Sequence, residues 1–389
     1  MKIWPVFLSA LLLIFPPLAV SKTETLTLHH DSIDAPLNFT VYLPDTYDPQ
    51  GDQRYHLLFD YHPLAGRYLE GLQFWLSHNG NTPWPSTIIV TPEPGNRSGM
   101  LFAPEKKATP LADFIAYRLL PALEKQYRLT GFRMFNGFRH NGTIGLSMLV
   151  NHPQSFQAYF IGCPELKDNF NHVLSDIVDK ADNIPPYRYV LLSCADSQIK
   201  TAHTMNDITE LRDMLANIRP LHSRYQDLTG HAFMSFPVRT LLDGLEWVFD
   251  EANNGLPGNS AVSAKGMTAI IREVARLSKE KYGVTLSPFL SLQNRGNWLL
   301  ENNRTNDALS FFTEVATHFP NDAYSWYNLA RAQLQADKLD KAIVSQQRAV
   351  ALATENRRTW HVKKMQAYLK TLRSHLKTQS QGQSTAEAN

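Results

Sequence analysis

Residues 134–153 read MFNGFRHNGTIGLSMLVNHP, and their types and spacing are those of a turn built to present one side chain. The apolar run ends at Asn136, Gly137 and Gly142 bracket a short stretch, and a periodic apolar run follows from Ile144 to Val150. That order implies a strand, a tight turn and a helix, the arrangement in which acyl-transfer enzymes hold a serine nucleophile on a strained elbow. Such chemistry needs the serine, backbone N–H groups for the oxyanion, a histidine base and an acid that orients it. Here the apex is Arg139, followed by His140 and Asn141. A guanidinium stays protonated and offers no nucleophilic lone pair, so the acyl-enzyme route is closed at this position. A fixed cation beside the unpaired N–H groups of a helix start does favour an anion. Arg139 and His140 are therefore candidates for holding a carboxylate or phosphate.

The elements that must position this turn can be read around it. From residue 24 to about residue 250, LNFTVYLP, YHLLFDYHP, STIIVTPEP, FRMFN, QAYFIG, RYVLLSC and HAFMSF have the β-branched and aromatic content of strands. Between them, residues 111–128, 142–152, 196–218 and 238–250 carry apolar side chains at helical spacing. Strands alternating with helices predict an α/β fold, a mostly parallel sheet with helices on both faces. The first two of these strands have no helix between them and are expected to form an antiparallel edge. Ligands in such sheets sit beyond the carboxyl ends of the strands, and the elbow lies at such an end.

The elbow and its helix carry a resemblance. With no gap from Gly137 to Pro164, the chain resembles the esterase branch of the α/β-hydrolases that includes esterase D-like proteins and siderophore esterases. LSMLVNHPQSFQAYFIGCPEL is similar to the segment that follows that family's serine, and NRSGMLFAPE to its Arg-containing segment. The resemblance implies an α/β-hydrolase fold, and it places the serine at Arg139. The family's histidine opens an H-x-S-x-P stretch before the last helix. Counting back from Asp243 and Gly244 gives FMSFP, with Phe233 where histidine is expected. His231, two residues earlier, would share a side of a regular strand with Phe233 and is a possible substitute base; it also reads as an ordinary histidine. The acid position matches Asp196 in CADSQ, which reads equally well as a helix cap. Ser147, Ser193 and Ser235 are the serines that could carry a relocated triad. Arg139 could alternatively reach Asp196 across the vacated space, a salt bridge that fills the cleft without a ligand.

Composition bounds the rest. The 389 residues are 43% hydrophobic and 19% charged with a net charge of +2, and Lys and Arg read as scattered rather than striped, which argues against a nucleic-acid partner. Residues 1–21 have one lysine, an apolar run from Val6 to Phe15, a double proline and small residues at Ala19 and Ser21, the order of a secretory signal peptide. The expected product is secreted, or periplasmic in a Gram-negative host, with no membrane span in the mature chain. In an oxidising compartment the only two cysteines, Cys163 and Cys194, are either a disulfide or two buried thiols. Neither has a partner at metal-ligand spacing, so no metal or other cofactor is expected.

The stretch EANNGLPGNSAVS marks a boundary. Beyond it the chain reads as helical, and Ala308 and Ala342 lie 34 positions apart, the period of the tetratricopeptide repeat (TPR). Gly296 and Ala330 take matching small positions, Phe312 and Pro320 complete the first unit, and Trp326, Leu329 and Ala349 support the second. A plain helical bundle is the other reading. The expected divisions are a signal peptide at 1–21, the α/β-hydrolase domain at 22–253, a linker and connecting helix at 254–286, the TPR-like domain at 287–376 and a disordered tail at 377–389. Together these features predict an exported esterase-fold protein without an intact triad. Its expected partners are an anionic small molecule in the former cleft and a protein or peptide on the TPR surface; a carboxylic-ester hydrolase with a relocated triad is the alternative.

Overall fold

The computed structural model describes residues 22–77, 84–101, 109–195, 205–355 and 359–386, and separates between Val248 and Phe249 into two compact units. The segment read as a signal peptide lies outside the described residues.

The first unit is built on an eight-stranded sheet: β1 (Lys22–His30), β2 (Ile33–Leu43), β3 (Tyr55–Asp60), β4 (Thr87–Pro92), β5 (Leu129–Phe138), β6 (Ala158–Gly162), β7 (Tyr189–Cys194) and β8 (His222–Asp227). Their order is β1-β2-β4-β3-β5-β6-β7-β8, and every pair from β4 onward is parallel. Each residue of β3, β4, β6 and β7 is buried, as continuous apolar strands must be when helices cover both faces. The helices are α1 (Ala65–Ser77), α2 (Thr109–Phe114), α3 (Leu120–Gln126), α4 (His140–Asn151), α5 (Val173–Lys180), α6 (Met205–Asn217) and α7 (Phe236–Val248), with a π turn at Ile115–Leu119 joining α2 to α3. Gly145 of α4 abuts Ile161 and Gly244 of α7 abuts Phe160. Consecutive residues of a strand point to opposite faces, so α4 and α7 cover opposite sides of the sheet.

Two strand expectations are corrected. The antiparallel edge is made by β1 and β2, not by β2 and β3: β2 pairs antiparallel with β1 and with β4, while β3 lies between β4 and β5. HAFMSF is not a strand. Residues Phe233–Ser235 form a 3-10 turn leading into α7, whose first turn holds Pro237, where a missing N–H costs nothing. The last strand is instead the polar HSRYQD of β8, an edge strand with a single neighbour and little need for apolar faces.

The second unit is helical: α8 (Asp250–Asn254), α9 (Met267–Leu277), α10 (Phe289–Glu301), α11 (Thr305–His318), α12 (Ala323–Gln335), α13 (Leu339–Glu355) and α14 (Thr359–Ala386). Within the stretch expected as a linker and connecting helix, Tyr282 is buried and stacks on Phe249 at 5.3 Å. Gly296 is small because a Cβ there would meet the Phe312 ring at 1.9 Å, the crossing of α10 with α11. Ala308, Ala330, Ala342 and Ala349 are fully buried at the matching crossings. The Asp322 side chain caps α12 by accepting from the Ser325 N–H. Met365 and Leu372 of α14 are buried in the clusters that also hold Ala349 and Ala342 of α13. α14 then runs on to Ala386, through most of the stretch expected to be disordered; KTQSQGQSTA contains no proline, so an anchored helix can propagate along it.

Candidate functional site

β5 ends at Phe138 and α4 begins at His140, so the whole reversal is made by Arg139, at φ 54° and ψ −124°. For a residue with a Cβ this is a sparsely populated conformation that costs about 1–3 kcal/mol and persists only where the surroundings enforce it. The enforcement is visible. A Cβ on Gly137 would lie 2.5 Å from the Asn141 carbonyl oxygen, and one on Gly142 3.2 Å from that of Gly137. The Arg139 N–H donates to the Gly162 carbonyl at 2.9 Å, tying the apex to β6, and the Thr143 N–H closes the first helical turn on the Arg139 carbonyl.

The guanidinium is about one-third exposed, with Nη2 3.5 Å from Glu165 Oε2. His140 Nε2 lies 3.9 Å from the same oxygen, and its ring meets Phe170 edge-on at 5.1 Å. Glu165 is held from behind, its carbonyl accepting from Thr143 Oγ1 at 2.7 Å. At 3.5 Å the Arg139–Glu165 contact is an ion pair rather than a formed hydrogen bond. Among the described residues, the guanidinium donors make no hydrogen bond. Asp196, and with it the expected Arg139–Asp196 bridge, lies outside the described residues.

Phe233 stands beside the elbow. Its ring is 4.9 Å from that of Phe138, the residue before the apex, and 5.5 Å from Phe236. His231 is exposed in the turn after β8, its N–H donating to the Leu228 carbonyl. No strand runs through it, so the shared side expected for His231 and Phe233 does not arise. Comparison with solved structures now bears on this geometry. The chain is similar to an uncharacterised protein from Capnocytophaga ochracea, at 14% identity over 89% of this chain and 100% of that one, with a TM-score of 0.57. It is also similar to an IroE-like serine hydrolase from Shewanella oneidensis, at 16% identity over 77% of this chain and 100% of that one, with a TM-score of 0.57. The first unit has an α/β-hydrolase-like fold. The tetratricopeptide repeat family model matches residues 299–361, from α10 to the start of α14, and among curated proteins none matches the sequence.

Within the α/β-hydrolase-like unit the remaining candidates sit as follows. Ser147 is buried and accepts from Asn151, Ser193 is buried against the Thr240 hydroxyl, and Ser235 donates to the Ala232 carbonyl at 2.6 Å. None has a histidine among its hydrogen-bond partners in the described residues. Cys163 follows the end of β6 and Cys194 ends the adjacent β7, each one step past the Gly162–Ser193 pair, and both are buried with no disulfide between them. The Cys194 thiol contacts the Ala195 carbonyl at 3.8 Å, and its interaction with Cys163 lowers the Cys163 pKa and raises that of Cys194; the Arg139 charge acts on Cys163 in the same downward direction. No group of three or more His, Cys, Asp or Glu side chains among the described residues could hold a metal ion.

Two carboxylates escaped the sequence reading. Glu165 lies in the loop after β6, next to the strand that carries the elbow, and that adjacency was the available signal. Asp60 ends β3 and is buried, accepting from Asn136 Nδ2 at 2.6 Å, Tyr68 Oη at 3.3 Å and the His62 N–H at 2.8 Å. Burial pushes its pKa up to about 6 against these three donors. Since Asn136 lies three residues before the apex, the cluster pins the loop after β3 to the elbow strand.

Proposed function

We propose that this chain is an exported, non-hydrolytic binding protein: an esterase fold that keeps its elbow but uses it to hold an anion, joined to a TPR unit that takes a protein partner. The observation that carries the reading is Arg139, which occupies the strained apex and whose guanidinium makes no hydrogen bond among the described residues, only a loose ion pair with Glu165. A non-glycine residue at φ 54° costs stability, and what this one provides in return is a cation set at the N-terminus of α4. The first-turn backbone N–H groups of α4 and the guanidinium of the residue before it are both donors at one helix start, so a carboxylate or phosphate is the fitting ligand. Phe233 supports the same reading, because a ring packed on Phe138 supplies shape and no base.

Hydrolysis of p-nitrophenyl esters and labelling by a fluorophosphonate test the first half. No turnover and no label are expected. A label on Ser147, Ser193 or Ser235 would establish the alternative, an ester hydrolase with a relocated triad. Arg139→Ser combined with Phe233→His is expected to create measurable esterase activity if the scaffold is otherwise intact. Titration with inorganic phosphate and with benzoate, read by thermal shift, tests the second half: stabilisation by either one that Arg139→Gln abolishes supports the anion site.

A further inference from the structure

The last helix, α14, is of one sign. Lys363, Lys364, Lys370, Arg373 and Lys377 are cationic and no residue of it is acidic, a concentration concealed when Lys and Arg are read along the sequence as scattered. Near its start α14 meets α12 through aromatic rings. Tyr327 and Tyr368 are 5.4 Å apart edge to face, and the Tyr324 hydroxyl is hydrogen-bonded to His361. Lys364 lies over three rings, 5.6 Å from the centroid of Tyr324 and 5.4 Å from those of Tyr327 and Trp360. One turn along α12, Arg331 lies 6.0 Å from the Tyr327 centroid and spends only Nη1, which donates to Asn297 at 2.7 Å and faces Asn328 at 3.5 Å.

These contacts orient the two cations without neutralising them, because a ring face is a weak counter-charge. Among the described residues, neither Arg331 nor Lys364 has a carboxylate within 4 Å. Asp322, at the entry to α12, is occupied by the N–H and hydroxyl of Ser325. Beside them Trp360 is 66% exposed. The face thus joins unpaired positive charge to uncovered aromatic surface.

We infer that the α12–α14 face binds an acidic peptide segment, whose carboxylates pair with Arg331 and Lys364 and whose apolar side chains cover Trp360. Charge complementarity selects the occupant. A single-stranded nucleic acid would require several open ring faces on which successive bases stack, and of these rings Trp360 is exposed while Tyr324, Tyr327 and Tyr368 are half-buried. This inference rests on the TPR unit being the partner-binding half of the molecule. It is separable from the anion site, because none of its residues belongs to the α/β-hydrolase-like unit and the ester and phosphate assays do not read it.

The test uses the full chain and a short fluorescein-labelled peptide of alternating Glu and Phe, with fluorescence anisotropy as the readout. Binding is expected, weakened about tenfold or more when Gln replaces Glu in the peptide, and likewise by Arg331→Glu with Lys364→Glu. Lys364→Gln, which removes the charge with little change of shape, should weaken binding by a smaller factor, and Lys341→Glu on α13 should leave it unchanged. Circular dichroism of each variant guards against loss of fold. Equal affinity for the Gln peptide, full binding by the charge-reversed variant, or tighter binding of a short DNA strand would each overturn the inference. Absence of binding to the Glu peptide would overturn it too.

Discussion

Gly137 and Gly296 answer the same steric demand in the two units, and the outcomes are opposite. At the elbow, the close approach of β5 to α4 drives the residue between them into a strained conformation and leaves its side chain partly in solvent. At the crossing of α10 with α11, the same economy of volume buries the Phe312 ring and leaves the backbone helical. The second arrangement is packing that stabilises. The first costs stability, about 1–3 kcal/mol at one residue, and gives back only a fixed direction for one side chain. Tight glycine packing alone therefore does not mark a site; tight packing that ends in strain and exposure does.

The contrast can be broken most strongly at the glycines themselves. Gly137→Ala and Gly296→Ala should each cost about 3 kcal/mol or more, since the first drives a methyl into backbone and the second into a buried ring. Denaturant unfolding that separates the two units should show the first loss in the α/β-hydrolase-like unit and the second in the TPR unit. If Gly296→Ala is tolerated, the crossing is looser than the structure has it.

A pH profile sharpens the comparison next. The Asp60 pKa is raised from 3.8 to about 6, so the folded state binds that proton more tightly than the unfolded chain. Its contribution to stability is complete below about pH 4 and falls away as the pH rises through about 6, by about 3 kcal/mol. Asp60→Asn should remove that fall from the α/β-hydrolase-like unit and leave the TPR unit unchanged, as guanidinium melts at acid and neutral pH would report. The smallest effect expected is at the apex. Arg139→Gly should stabilise the protein by about 1 kcal/mol, because relief of the strained φ outweighs the added freedom of the unfolded chain and the loss of a loose ion pair. A destabilised Arg139→Gly would mean that the guanidinium is held more firmly than its contact with Glu165 indicates.

Much of this architecture was legible because its signals are local. The elbow lies within a dozen consecutive residues, and the small positions at Gly296 and Ala330 recur with the repeat. The largely apolar runs of β3, β4, β6 and β7 announce a covered parallel sheet. What was missed is non-local. Pairing of β2 with β4 skips a strand in sequence, so nothing adjacent to either reveals it. β8 is polar because an edge needs no second apolar face, while HAFMSF is apolar because Phe233 and Phe236 pack around the elbow from a turn. Glu165 is distant from Arg139 in sequence and comes near it only through the sheet order. The cations of α14 look scattered in one dimension and are gathered by the helix.

A single-residue reversal leaves no slack. With Phe138 still in the strand, His140 already in the helix and the apex amide fastened to Gly162, the Cα–Cβ direction at position 139 is set by the scaffold and not by the residue that occupies it. The elbow behaves as a mechanical socket: a thiol, a hydroxyl or a spectroscopic label introduced there would be delivered to the same point with the same aim. That makes position 139 the place on this molecule where a new reactive group can be installed with its geometry known in advance.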